Sequence, residues 1–203
     1  HTGALAGADT VYDAVCRRSG MLRVYTLAEL FDAVEILSFG RAPPGERLTI
    51  LTNGGGIGVL ATDALIEAGG KLAALDPTTL TRLDGVLPPT WSKGNPVDII
   101  GDAPGQRYSD ALDIVLEDSG TDAVLVLNCP TAVASGLEGA KAVTASAGRK
   151  KDKLTLTSWV GGALAAEARH YLTGHGLPTY DTPEQAVRAF MYLVDYRRGQ
   201  ETR

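Results

Sequence analysis

Between Leu48 and Ala61 the chain passes from an apolar, β-branched run, Leu48-Thr49-Ile50-Leu51-Thr52, through Asn53-Gly54-Gly55-Gly56, and resumes as Ile57-Gly58-Val59-Leu60-Ala61 with helical spacing. Strand, tight turn, helix is the reading this pattern allows, and it commits the segment to a β–α unit. The first amides of such a helix have no acceptor within the helix. They carry a partial charge of roughly +0.5, and glycine lets a ligand approach them without interference from Cβ. Asn53, Gly54, Gly55, Gly56, Ile57 and Gly58 therefore form a candidate phosphate-binding turn. The competing reading is that glycine only relieves a left-handed backbone here, for which one glycine would suffice rather than four in five positions.

The rest of the chain alternates in the same way. Further strands are expected over 71–75, 97–100, 123–127, 154–159 and 178–180, and helices over 57–68, 78–83, 108–117, 132–147 and 163–172. Thr182-Pro183-Glu184-Gln185 opens a last helix with Thr at the N-cap, Pro at N1 and Gln at N3. The continuous apolar run 123–127 marks a central strand covered on both faces. Short connections between alternating elements imply a three-layer α/β/α fold, its sheet mainly parallel with right-handed crossovers. Ligands in such sheets sit beyond the carboxyl ends of the strands. Asn128, Cys129 and Thr131 leave the fourth strand there and are candidate contacts, with Thr131 favoured as the cap of the next helix. Cys129 has no histidine nearby in sequence to activate it. Asp98, alternating with Val97 and Ile99, is a candidate carboxylate at that edge and equally a structural one anchoring the Asn95-Pro96 turn.

Residues 1–40 differ. A small, flexible segment from His1 to Gly7 leads to a helix over 9–18, a short strand over 22–25, and a helix opened by the capping box Thr26-Leu27-Ala28-Glu29. Helix, strand and helix cannot close a core, so this piece reads as the tail of another domain, joined through Gly40-Arg41-Ala42-Pro43-Pro44-Gly45. His1 stands in a glycine-bounded loop where an exposed imidazole can accept and deliver a group; a terminal histidine is equally a cloning remnant. His170 and His175 fall near a helix end, where the dipole accounts for them.

With 203 residues, 44% hydrophobic and 21% charged, the chain has material for one domain plus an appendage and needs no disulfide or metal staple. Cys16 and Cys129 are far apart, in no metal-like spacing, and point to a reducing, cytoplasmic setting. The net charge of −5 argues against a nucleic-acid surface. No apolar run reaches the length of a membrane span.

The segment from His1 to Asp9, with Val11-Tyr12-Asp13-Ala14, resembles the phosphohistidine loop of NDP-forming acyl-CoA synthetases, the ADP-forming acetate-CoA ligase group related to succinyl-CoA synthetase. The stretch 52–64 and Asn95-Pro96-Val97-Asp98 resemble that family in the same order. The resemblance implies a flavodoxin-like, succinyl-CoA synthetase-like sheet domain over 46–203, and over 1–45 the helix-strand-helix end of a preceding CoA-ligase domain with the linker. It implies that His1 is the catalytic residue, carrying a phosphoryl group between acyl phosphate and NDP, and that the glycine turn faces it. Phosphate alone would bind this piece. CoA, ATP/ADP and Mg²⁺ would engage CoA-binding and ATP-grasp domains of the same chain or a partner subunit, and homo-oligomers are compatible with this. The isolated piece is then expected to turn nothing over. Two alternatives compete: a non-catalytic regulatory module of a GNAT-fused acetyltransferase, and an NAD-binding Rossmann domain reading Gly56-x-Gly58-x-x-Ala61 with Asp76 as the ribose acid.

Overall fold

The computed structural model describes residues 8–39 and 42–201. In chain order these are α1 (Asp9–Ser19), α2 (Leu27–Ser38), β1 (Arg47–Thr52), α3 (Gly55–Glu67), β2 (Lys71–Leu72), α4 (Pro77–Val86), β3 (Val97–Asp98), α5 (Gly105–Glu117), β4 (Ala123–Asn128), α6 (Gly136–Arg149), β5 (Leu154–Trp159), a 3₁₀ turn (Gly162–Ala165), α7 (Ala166–Gly174), β6 (Thr179–Tyr180) and α8 (Pro183–Glu201). Every strand pairing is parallel, in the order β2-β1-β4-β5-β6, with β3 also paired to β1.

Alternation within the strands builds two cores. Leu48 and Ile50 of β1 and Ala123, Leu125 and Leu127 of β4 face α2, α3 and α8; Leu51, Val124 and Val126 face α4, α5, α6 and α7. The sheet is thus buried on both faces, which is why β4 is a continuous apolar run through Leu127 and why the threonines and serine that interrupt β1 and β5 are themselves buried. This is the flavodoxin-like, three-layer arrangement.

One flank of β1 is shared. β2 pairs with its first residues, Arg47 and Leu48, and β3 with its last, Leu51 and Thr52. Between them the side chain of Asn95 does the pairing: Oδ1 accepts from Ile50 N (2.9 Å), while Nδ2 donates to Leu48 O (3.0 Å) and Ala73 O (3.0 Å). Asn95, not Asp98, is therefore the anchor of the turn before β3. Asn95→Ala would orphan Ile50 N and Ala73 O, while Leu48 O keeps the Ala73 N–H (2.9 Å), and a loss of about 1–3 kcal/mol in urea denaturation is expected.

Asp122 holds the amino-terminal end of β1. Its carboxylate accepts from Arg47 N (2.9 Å), Nε (2.9 Å) and Nη2 (2.8 Å), and a Cβ at Gly45 would lie 2.1 Å from Oδ2. The Arg47 guanidinium keeps the Asp122 carboxyl below its ordinary range. A depressed folded-state value means that the unfolded chain binds the proton more readily. The pair's stabilisation is accordingly complete above the unfolded carboxyl value, about pH 4, and is lost as pH falls through the lower folded value. Denaturation midpoints measured from pH 6 to pH 2 should fall less steeply in Asp122→Asn than in the wild type.

The appendage departs from expectation in one element. Residues 22–25 form no strand: Arg23 turns back to pair with Asp9 and Asp13 of α1, and Leu22 and Val24 lean on the α8 side of the core. The capping box of α2 forms, with Glu29 N donating to Thr26 Oγ1 (3.1 Å). Ala33 and Ile36 bury α2 against α8, where Arg188 meets Asp32 at 3.1 Å. No residue of α1 is buried, and Val11, Val15, Leu27, Phe31 and Val34 are all more than half exposed. The two helices thus carry an apolar face that nothing among the described residues covers.

Candidate functional site

The β1–α3 turn lies at the carboxyl edge of the sheet. Gly54 N donates to Thr52 Oγ1 (3.0 Å), which in turn donates to Gly54 O (2.9 Å), so the turn is closed on itself before the helix starts. No side chain caps α3, and the backbone N–H groups of Gly55, Gly56 and Ile57 find no acceptor among the described residues. Gly55 and Gly56 are exposed.

None of these glycines needs to be glycine for its backbone: Gly54 has φ −142°, and Gly55, Gly56 and Gly58 are absent from the left-handed region too. At Gly54 and Gly58 the reason is packing, since a Cβ would lie 3.1 Å from Cys129 Cβ and from Thr52 Cγ2 respectively. At Gly56 nothing lies within 4 Å of the place a Cβ would take. A glycine demanded neither by conformation nor by neighbours leaves the amides beside it open to an anion.

The loops that leave the other strands are tied to this turn. Asn53 is buried, and its amide both donates to Cys129 O (2.9 Å) and accepts from Cys129 N (2.7 Å). Its side chain therefore fixes the turn against the end of β4 rather than reaching outward. Thr131 donates to Gly101 O (2.9 Å), joining the β4 and β3 loops. It does not cap α6; Ser135 does, accepting from Glu138 N (3.3 Å). The signal for that was the Ser135-x-x-Glu138 box. Asn128 also departs from expectation. It shares the inner face of Val124 and Val126, is 5% exposed, and donates to Tyr108 Oη (2.9 Å) inside the core. Burial pushes the Tyr108 phenol well above its ordinary range, so it stays a neutral partner there. Cys129 is half-buried beside Gly54. His1 lies outside the described residues.

Asp76 sits at the other edge of the sheet, its backbone N–H on Asp118 Oδ2 (2.9 Å) and its carboxylate on Ser119 Oγ (2.8 Å), both ahead of β4. Those contacts tie Asp76, the ribose acid of the Rossmann reading, to the segment ahead of β4, at the end of the sheet opposite the glycine turn. A hollow of about 600 Å³ lined by Arg17, Arg23 and Arg198 is likewise remote from the turn, on the amino-terminal side. Among the described residues no three His, Cys, Asp or Glu side chains gather in a group that could hold a metal ion. Among the described residues no helix is long and apolar enough to cross a membrane.

Parallel strands, helices on both faces and an uncapped glycine turn at the carboxyl edge define a flavodoxin-like α/β domain suited to an anionic group. Residues 48–200 match the Ligase-CoA domain, and the chain belongs to that family; residues 1–37 match the succinyl-CoA ligase-like flavodoxin domain. The alpha subunit of an ADP-forming acetate-CoA ligase (I) from Pyrococcus furiosus is 40% identical over 98% of this chain and 43% of its own length. An ADP-forming acetate-CoA ligase from Methanocaldococcus jannaschii is 38% identical over 97% of this chain and 28% of its own. Among solved structures, the dinucleotide-forming acetyl-coenzyme A synthetase 1 of Ca. Korarchaeum cryptofilum, in complex with phosphate and ADP, superposes with a TM-score of 0.92 at 34% identity, covering all of this chain and 44% of that one. The chain thus spans less than half the length of these relatives.

Proposed function

We propose that this chain is the phosphoryl-relay part of an NDP-forming acyl-CoA synthetase. The observation that carries the reading is the row of three unpartnered amides, Gly55, Gly56 and Ile57, two of them on exposed glycines. A helix N-terminus favours an anion by about 0.3–1 kcal/mol, and up to ~2 when partly buried. His1 is the carrier: its imidazole takes the phosphoryl group from acyl phosphate and gives it to NDP, or runs the reverse, with the turn receiving the phosphorylated ring. Gly54 and Gly58 let the turn pack tightly, while Asn53, Cys129 and Thr131 hold the surrounding loops in place.

Residues 1–45 are on this reading the end of a preceding CoA-ligase domain, and the uncovered apolar face of α1 and α2 belongs against its sheet. Residues 46–203 are a second flavodoxin-like domain. CoA-binding and ATP-grasp domains, on the same chain or a partner subunit, supply the sites for CoA, ATP/ADP and Mg²⁺, and the isolated 203-residue chain has no ligase turnover.

Amide NMR with inorganic phosphate tests the seat. Saturable shifts should centre on Gly55, Gly56 and Ile57; shifts confined to other regions would sink it. For the carrier, incubation of the full-length protein with radiolabelled ATP and Mg²⁺ should leave an acid-labile label that His1→Ala abolishes.

A further inference from the structure

Pro178 leaves a gap in the sheet beside β5. Val160 N donates to Asn128 O on the β4 side (3.0 Å), and Thr157 N donates to Pro178 O on the opposite flank (2.9 Å). Backbone groups alternate between the two flanks of a strand, so Thr155, two residues before Thr157, also sends its N–H and C=O towards the flank of β6. In a parallel ladder the residue that accepts from Thr157 would return its own N–H to Thr155 O, but that residue is Pro178, which has none. β6 itself pairs only with Thr157 and Ser158. No described residue takes up the N–H or C=O of Thr155 on this flank, and its Oγ1 is also without a partner, although the residue is only 5% exposed. Buried polar groups are otherwise paired, so three from one residue call for a partner from outside the chain.

That flank borders a cavity of about 240 Å³ between the end of α6, the start of β5 and the segment joining α7 to β6, below the size that holds a drug-sized ligand. Ala147, Leu154 and Leu177 give it apolar walls, and nothing lies within 4 Å of the place a Cβ would take at Gly148 or Gly176. Lys151 and Lys153 line it as well; Lys153 turns Nζ to Asp118 O, and neither ammonium forms an ion pair among the described residues. Burial pushes the Lys153 ammonium below its ordinary range, against the pull of Asp118, Asp152 and Asp122, and an added anion would offset that burial. A ligand here needs a carboxylate for the N–H, the hydroxyl and the two ammonium groups, a carbon body for the walls, and a donor for Thr155 O. The lysines repel an ammonium in that last role, which leaves a hydroxyl. We propose that this cavity is a binding site for a small hydroxycarboxylate, its carboxylate accepting from Thr155 N and Oγ1 and its hydroxyl donating to Thr155 O. The site lies where β5 begins, at the opposite end of the sheet from the glycine turn, and is independent of the phosphoryl chemistry proposed there.

Threonine-methyl NMR of the full-length protein reads the site directly, because Thr144 and Thr155 both line the cavity. Titration with lactate should shift both methyl signals saturably. Propionate, the same acid without the hydroxyl, should bind about fivefold more weakly, the worth of one hydrogen bond. Thr155→Val keeps the shape and both backbone groups while deleting Oγ1, and lactate affinity read at the Thr144 methyl should fall by about fivefold. An equal response to lactate and propionate, or none to either, overturns the proposal, as does undiminished lactate binding by Thr155→Val. The comparison of the two acids needs no variant, so it decides the matter even if Thr155→Val fails to fold. None of these outcomes bears on the glycine turn, which the phosphate titration at Gly55, Gly56 and Ile57 tests separately.

Discussion

Replacing Trp159 with alanine will lower the free energy of unfolding by about 3–5 kcal/mol, the range for deleting a fully buried aromatic side chain. Trp159 ends β5 with no exposure. Its Nε1 donates to Gly136 O (2.9 Å) in the first turn of α6, and its ring meets Tyr108 of α5 at 6.1 Å between centroids. Gly136 and Gly139 pack close to the same group: a Cβ would fall 3.2 Å from Asn128 Oδ1 at Gly136 and 3.3 Å from the Tyr108 ring at Gly139, with the indole in ordinary contact at 3.5 and 3.7 Å. Alanine would leave a cavity and an unsatisfied carbonyl together, and the backbone on that side cannot collapse onto it without moving α6. Urea denaturation followed by circular dichroism measures this; a cost below about 1 kcal/mol, that of a single hydrogen bond, would mean the indole is not the keystone of that core.

Gly56→Asp should act in the opposite sense on stability and strongly on function. The space around Gly56 is open, so an aspartate fits without clash. Aspartate is only about 0.3 kcal/mol better than glycine as a helix former, and a carboxylate in the first turn adds about 0.3–1 kcal/mol through the dipole. The melting temperature should therefore hold or rise. The new carboxylate would meanwhile occupy the field of the three free amides and repel an incoming phosphoryl group, so phosphate affinity and His1 labelling in the full-length protein should drop by about 10²-fold, equivalent to about 2.7 kcal/mol. A variant that is more stable and still labels at the wild-type rate would detach the turn from the chemistry.

The strands β1, β4 and β5 were legible in the sequence because β4 is a continuous apolar run and β1 and β5 are short runs rich in leucine, isoleucine and β-branched threonine. β2 and β3 were expected to be longer than they are. Their shortness is a matter of tertiary sharing, since both use the same flank of β1 and Asn95 occupies the gap; no local pattern records that. The expected strand over 22–25 had suitable residues but no neighbour in the sheet, and Arg23 found carboxylates on α1 instead. At the site, the strand, glycine turn and helix were readable because their pattern is local. Asn128 was misjudged although its direction was available from parity: it follows Val124 and Val126 by twos and turns inward with them. The loop after β4 offered two hydroxyls for one cap, Thr131 and Ser135, and the one followed three residues later by glutamate is used. Asp98's approach to Gly55 depends on β3 ending level with Thr52, a register only the folded sheet reveals.

Because one carboxamide completes the pairing of β1 where β2 stops, the excursion from Ala73 to Gly94, α4 included, leaves and rejoins the sheet at fixed points. Its length is uncoupled from the alignment of the strands on either side. Related proteins could lengthen, shorten or exchange that excursion as a cassette, provided the asparagine returns in place, and extra residues spliced in near Gly85 should leave the glycine turn where it is. An engineer seeking a permissive site for a fluorophore or an affinity tag would place it there.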